Sequence, residues 1–323
     1  MKPAPDTILG PLGRAQIAEL NRYVITEVHP FVLDLARCEG MWLATVDGAK
    51  IFDWTGFYAS RLLGFNHPAL TEPDYLKRLV LAANIKTANP DFLTPECVEY
   101  YRTVYHYSPE CLRNPRLEVY AVNSGAEAVE NLMKYFINLF HQSRGRRARP
   151  GGHARFIYFD RAFHGRTVFA LNVTQTSDPV ATKDFHGLMP DNLSVPFPAI
   201  DTSAPPAENR ARTESSLTQV EAMLRQHEGE VVGIIVEPLQ GAGGHRAAEP
   251  EFFQGLSRLA HQYQVYLGFD EVQTAGGPTG AMFMADQLDL PHPPQGIAVA
   301  KKFGCGVVYM REPMQDHGVL DST

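Results

Sequence analysis

The 323-residue sequence predicts an α/β fold built on a mostly parallel sheet. Three observations carry that expectation. Short apolar runs rich in β-branched and aromatic residues recur at 117–122, 155–159, 231–236, 265–269 and 296–299, each of strand length. Longer stretches of helical periodicity separate them, clearest at 127–140 and 251–263, and strands alternating with helices favour parallel pairing. Chemically active residues then follow the carboxyl ends of several runs, which is where open α/β sheets bind their ligands.

Ahead of that pattern, positions 12–28 have helical spacing, and the stretch from Met41 to Trp54 alternates around Asp47-Gly48 as a strand pair with a tight turn. The α/β alternation begins after Gly64-Phe65-Asn66-His67-Pro68. The region 200–217, rich in Pro, Ala, Ser and Thr, reads as an exposed excursion without chemistry of its own.

Composition narrows the function classes. A hydrophobic content of 44% over this length supports a sizeable core. The net charge of −7 supplies no global positive field, so neither nucleic acid nor anionic membrane is an expected partner. The longest basic cluster, Arg144-Gly145-Arg146-Arg147-Ala148-Arg149 before Pro150, reads as a solvated loop between a helix and a strand. Cys38, Cys97, Cys111 and Cys305 have neither paired disulfide spacing nor a Cys-x-x-Cys metal or redox signature. The amino terminus lacks a signal-peptide core, and no stretch has the apolar length of a membrane span, so a soluble, cytoplasmic protein is expected.

Five segments carry chemistry. Val122-Asn123-Ser124-Gly125-Ala126-Glu127 is a strand, a small-residue turn and a helix start, with Ser124 placed to cap. The backbone N–H groups of Gly125 and Ala126 then suit a phosphate, helped by the helix dipole. Phe163-His164-Gly165-Arg166 sets an aromatic that can stack on a flat ring, a histidine, and an arginine that can clamp a carboxylate. Alone, these three would read as a core Phe, a His satisfied by backbone and a surface Arg. Glu237-Pro238-Leu239-Gln240-Gly241 brings an acid out of an apolar run into a glycine-rich loop, as an ion-pair holder or a site residue.

The fourth and fifth segments are the most informative. Asp270 and Glu271 are adjacent, so on a strand they face opposite ways and only one serves a given ligand. Lys301 and Lys302 follow the small Ala300 and precede Phe-Gly-Cys-Gly. Lys301 is preferred as the reactive amine, with Lys302 as a nearby positive charge that lowers its pKa. An acid ending one buried strand and a lysine ending another are the two groups that pyridoxal 5'-phosphate needs. The carboxylate keeps the pyridine nitrogen protonated and the amine holds the aldehyde as a Schiff base. A nucleotide site is the weaker reading, because no Gly-x-Gly-x-x-Gly or P-loop pattern occurs.

In this order, Ser124-Gly125-Ala126-Glu127-Ala128, Phe163-His164-Gly165-Arg166, Glu237-Pro238-Leu239-Gln240-Gly241, Asp270-Glu271-Val272-Gln273-Thr274 and Ala300-Lys301 resemble the class III aminotransferases from about Tyr23 onward. The paired lysines and the ending Val319-Leu320-Asp321-Ser322-Thr323 look most like the branch acting on the ε-amine of L-lysine, followed by the 4-aminobutyrate branch. The resemblance implies a fold-type-I enzyme: a three-layer pyridoxal-phosphate domain over 66–312, and a small α+β domain begun by 1–65 and resumed at 313–323. It also implies a homodimer with a shared active site.

By the same resemblance Lys301 is the Schiff-base lysine, Asp270 pairs with the pyridinium nitrogen, and Phe163 and Val272 flank the ring. Gln273 lies near the ring hydroxyl, and Gly125 and Ala126 hold the phosphate with Thr323 of a partner subunit. Arg166 and Glu237 serve the substrate. The implied reaction passes the ε-amino group of lysine to 2-oxoglutarate. Other ω-amine aminotransferases, such as ornithine's, share these motifs, and a pyridoxal-phosphate-binding or dimerising fragment without turnover is the non-enzymatic alternative. Two departures stand out. Ala242 occupies the place of a glutamate that helps relatives alternate between donor and acceptor, and the sequence ends at Thr323, before the family's remaining small-domain segment.

Overall fold

The computed structural model describes residues 8–24, 29–84, 92–143, 154–176 and 191–314. The chain divides into two compact units, Met1–Asn89 and Pro90–Thr323. The first contains helix α1 (Pro11–Leu20), the antiparallel pair β1 (Trp42–Ala44) and β2 (Lys50–Phe52), the short turn α2 (Gly56–Ala59) and helix α3 (Pro73–Asn84). The Asp-Gly turn has a second task here. The Asp47 carboxylate accepts the N–H groups of Gly10, Leu12 and Gly13, placing an anion at the amino end of α1. Helix α1 ends at Leu20, short of the extent read from periodicity, and positions 25–28 lie outside the described residues.

The second unit runs in order α4 (Pro95–His106), β3 (Glu118–Val122), α5 (Gly125–Ser143), β4 (Arg155–Phe159), α6 (Val168–Leu171), β5 (Leu193–Val195) and α7 (Pro206–Gln226). It continues with β6 (Val231–Val236), β7 (Leu239–Gln240), β8 (Arg246–Ala247), α8 (Pro250–Tyr263), β9 (Tyr266–Asp270), β10 (Gly296–Val299) and β11 (Gly306–Met310). Seven strands form one sheet in the order β3-β11-β10-β9-β6-β4-β5. All neighbouring pairs are parallel except those made by β11, which runs antiparallel to both β10 and β3. The carboxyl ends of β3, β4, β6, β9 and β10 therefore share one edge.

Strand alternation explains the layers. In β4, Phe156 and Tyr158 join a core with Leu132, Phe136 and Phe140 of α5, while Ile157 and Phe159 join a core with Val220 of α7 and Phe252 and Leu256 of α8. In β11, Val308 and Met310 take the first side and Val307 and Tyr309 the second. Both faces are covered, which is why these strands read as continuous apolar runs.

The region 200–217 is largely exposed, as expected, but most of it is helical rather than a loop. Pro206 opens the 21-residue helix α7, which buries Asn209, Thr213 and Ser216 on the face continued by Val220 and Leu224. Ser216 Oγ donates to the Pro196 carbonyl at 2.7 Å, and Asn209 Oδ1 accepts the Asp201 N–H at 3.0 Å. Polar groups, hydrogen-bonded at Asn209 and Ser216 but without a partner at Thr213 Oγ1 among the described residues, occupy positions where periodicity looks for apolar ones, and a proline at the first helical position starts a helix as readily as it breaks one.

Glu271 ties the sheet to the loop that follows β9. It is fully buried and accepts from Thr274 Oγ1, Met284 N and Ala285 N, each at 2.8 Å. Burial nevertheless pushes its carboxyl up from 4.5 to about 7. The folded protein holds the proton more tightly than the unfolded chain. Stability from this group is thus complete below pH 4.5 and is lost as the pH rises through about 7. Urea unfolding is expected to show native protein losing about 3 kcal/mol across that window relative to Glu271→Gln, in which this titration is absent.

Candidate active site

At the end of β3 the chain enters α5 through a reciprocal cap. Ser124 Oγ accepts the Glu127 N–H at 3.2 Å, and Glu127 Oε2 accepts the Asn123 N–H at 2.8 Å. The first intrahelical bond here is Ala128 N–H to the Ser124 carbonyl, at 3.0 Å. Gly125 and Ala126 thus lie in the first turn, where N–H groups have no intrahelical acceptor. Both residues line a pocket of about 420 Å³.

The absence of side chains at two glycines shapes this cradle. A Cβ on Gly125 would lie 2.9 Å from a Val272 methyl and 3.3 Å from the Ala300 Cβ. One on Gly165, whose φ is +131°, would lie 2.5 Å from the Ala126 Cβ. Gly165→Ala is therefore expected to cost about 2–4 kcal/mol in thermal or urea unfolding and to weaken phosphate-ester binding in the same pocket by calorimetry.

The loop after β4 brings Phe163, His164, Gly165 and Arg166 to the pocket wall. Thr174 Oγ1 accepts the His164 N–H at 3.0 Å, and Glu130 of α5 accepts the N–H groups of Phe169 and Ala170, fixing the loop. Phe163 and Arg166 are exposed, whereas His164 is buried. The His164 ring is not satisfied by backbone: its Nδ1 meets Asp270 Oδ2 at 2.7 Å, and Asp270 Oδ1 accepts the Val272 N–H at 3.0 Å. His164 Nε2 is buried without a hydrogen-bond partner among the described residues. As strand alternation requires, Asp270 faces the pocket while Glu271 faces the loop behind it.

Glu237, the second acid expected near the substrate, is 5% exposed, is not among the lining residues, and accepts the Phe163 N–H at 3.0 Å. Burial, and then the charge of Asp270, hold its carboxyl well above the usual range. The two lysines diverge. Lys301 lines the pocket and its Nζ donates to Gln273 Oε1 at 2.7 Å, while Lys302 Nζ donates to the Gln273 carbonyl at 2.7 Å. Burial lowers the Lys301 amine, opposed by the charges of Asp270 and Glu237. Burial and then the neighbouring Lys301 bring Lys302 down to about 8.

Thr323 and the basic cluster from Arg144 to Arg149 lie outside the described residues. Asn123, Ala300, Gly304 and Cys305 complete the wall, and none of them was given a role in the site from the sequence. Cys305 sits 2.7 Å from the Tyr100 hydroxyl of α4; its only sequence signal is its place four residues after Lys301.

Helix-terminal N–H groups, a buried acid, a ring-sized aromatic and a lysine thus converge on one cavity. The aminotransferase class-III profile matches residues 23–321. The chain belongs to the class III aminotransferases. An L-lysine-epsilon aminotransferase of Amycolatopsis lactamdurans is 32% identical over 95% of this chain and 67% of its own length; one from Streptomyces clavuligerus is 31% identical over 90% and 63%. A 4-aminobutyrate aminotransferase of Schizosaccharomyces pombe is 27% identical over 97% and 69%. Among solved structures, lysine aminotransferase from M. tuberculosis in the internal aldimine form superposes with a TM-score of 0.80 at 30% identity, over 91% of this chain and 66% of that one. The chain spans about two thirds of the length of these relatives.

Pyridoxal 5'-phosphate is the cofactor of this class, and the pocket fits it. The volume is within the range that holds a small cofactor. Gly125 and Ala126 offer donors to the phosphate, and Asp270 offers an acceptor to the ring nitrogen. Val272 and Phe163 offer apolar contacts, and Lys301 an amine to the aldehyde. No described helix is long and apolar enough to cross a membrane.

Proposed function

We propose that this chain carries the cofactor domain of an aminotransferase that removes the terminal amino group of L-lysine and delivers it to a 2-oxo acid, 2-oxoglutarate first among them. The observation behind this reading is the meeting of Lys301 and Asp270 in one pocket opposite a helix start. Similarity to L-lysine-epsilon aminotransferases supports lysine as the donor.

When bound, pyridoxal phosphate supplies an aldehyde that captures amines and a ring that withdraws electrons from the neighbouring carbon. With that group in place, Lys301 Nζ would be the base that takes the proton from the lysine ε-carbon. Its lowered basicity keeps more of the amine neutral near physiological pH. Asp270, supported by His164 and the Val272 N–H, would hold the ring nitrogen. Glu237 supports the Phe163 backbone, and Phe163 and Val272 would flank the ring. Gln273, which is not among the lining residues and whose Oε1 accepts from Lys301 Nζ, would serve the ring hydroxyl. Arg166, exposed at the pocket mouth, binds the substrate α-carboxylate and leaves the distal amine inside.

The same reading divides the polypeptide into a small-domain portion at 1–65, the cofactor domain at 66–312 and a return to the small domain at 313–323. It assembles two copies so that Thr323 meets the partner subunit's phosphate site, and it locates the enzyme in the cytoplasm. Borohydride reduction after incubation with pyridoxal phosphate, followed by peptide mapping, is expected to label Lys301. Product analysis with L-lysine, 4-aminobutyrate and ornithine then tests the donor. A semialdehyde from 4-aminobutyrate but not from lysine would move the enzyme to the neighbouring branch. No label on either lysine would end the cofactor assignment for this chain.

A further inference from the structure

We propose that Gln273 is a positioning residue for the reactive lysine: its side-chain carbonyl seats the Lys301 amine whenever that amine is not joined to a carbonyl compound, and Lys302 anchors the seat. This rests on the cofactor reading above, which gives Gln273 the ring hydroxyl, and adds a second task for Gln273 and a first one for Lys302. Lys301 Nζ donates to Gln273 Oε1, and Lys302 Nζ donates to the main-chain carbonyl of the same residue, both at 2.7 Å. One glutamine is thus held at its side chain and its backbone by consecutive lysines.

The arrangement is built into the surrounding chain. A Cβ on Gly241 would lie 3.2 Å from Gln273 Cγ, so the glycine of the β7–β8 loop leaves room for this side chain. Gly276, at φ +91°, would place a Cβ 2.8 Å from Lys302 Cδ, so a second glycine admits the anchoring lysine. Lys301 itself has a φ of +34°, unusual for a residue with a side chain, and the Phe303 N–H closes the turn onto the Ala300 carbonyl at 2.8 Å. The lysine leaves the sheet through a tight turn, and the amide meets its amine at the end of a long, rotamer-rich chain.

An ammonium offers only donors, so it selects the oxygen edge of the amide. A neutral amine held through one N–H still has its lone pair for a carbonyl carbon. Seating the amine removes the search through side-chain rotamers that each return of Lys301 would otherwise require. Asp270 and Glu237 favour the charged form against burial, and the amide oxygen accepts from it.

Competitive acetylation with trace acetic anhydride, read lysine by lysine across about pH 6 to 11 on protein without cofactor, tests this directly. Gln273→Glu is expected to raise the Lys301 midpoint by about one pH unit or more, because a carboxylate favours the ammonium form. Gln273→Met, of similar volume, is expected to move it downward, with a smaller change at Lys302 in both variants. Mixing with pyridoxal phosphate should then show carbonyl capture at Lys301 slowed about ten-fold or more in Gln273→Met, and a milder slowing in Lys302→Met. Unfolding curves matching the parent protein within a few degrees make these changes local. Midpoints that stay put in both variants, or that move equally at the two lysines, overturn the proposal. Parent protein that captures carbonyl at Lys301 with both Gln273 variants equally fast overturns it while leaving the cofactor reading intact. Parent protein that captures none overturns both.

Discussion

Replacing Lys301 with alanine is expected to abolish turnover, by about 10⁴-fold or more, and to remove the borohydride-trapped label from this region. The reason is position rather than the presence of an amine, since Lys302 is the next residue. Lys301 enters the pocket, whereas Lys302 is spent on the Gln273 carbonyl and packs along Gly276. Bringing Lys302 Nζ into the pocket would break that bond and reverse the turn that begins after Ala300. Lys301→Ala opens space along the lysine side chain but leaves the phosphate cradle at Gly125 and Ala126 in place, so the variant still takes up pyridoxal phosphate, with weaker retention. Equilibrium dialysis beside single-turnover kinetics separates the two effects. A variant that turns over within ten-fold of the parent, or that acquires the label at Lys302, would refute this assignment.

The sequence exposed the parts of this molecule whose physics is local. Strands β4, β6 and β10 match their apolar runs because both faces are buried and, apart from Arg155 opening β4, no charged position enters the pattern. The opposite orientation of Asp270 and Glu271 followed from strand alternation, and the cap at Ser124 from residue type. What stayed hidden depends on partners far along the chain. Helix α7 buries Asn209, Thr213 and Ser216, each of which looks solvent-facing until its acceptor or neighbour is known. Strand β11 reverses the sheet direction at its single antiparallel position, which composition does not encode. His164 read as a residue the backbone would satisfy, and its acid partner lies 106 positions away. The choice between Lys301 and Lys302 turned on a short turn with a positive φ, for which the following glycines were only a hint.

Asp270→Asn is the second large effect: turnover is expected to fall about a thousand-fold, with folding stability lowered by about 2 kcal/mol. The carboxylate has one oxygen toward His164 Nδ1 at 2.7 Å and the other toward the Val272 N–H at 3.0 Å. An amide has a single oxygen. If it faces His164, the amide NH₂ opposes the Val272 N–H; if it faces Val272, the NH₂ opposes the histidine. Histidine can accept at Nδ1 only by moving its proton to Nε2, which is buried without a partner, so that tautomer strands a donor instead. Every arrangement leaves a mismatched buried group, which sets the stability cost. The catalytic loss has a separate origin: a neutral amide cannot favour a protonated ring nitrogen, and the electron withdrawal that acidifies the substrate carbon is lost. His164→Asn separates the two, because its amide can still donate to a charged Asp270. That variant is expected to retain far more turnover than Asp270→Asn at a comparable loss of stability. Urea unfolding and single-turnover rates on both proteins decide it. Asp270→Asn within ten-fold of the parent would remove Asp270 from the chemistry and leave it a structural partner of His164.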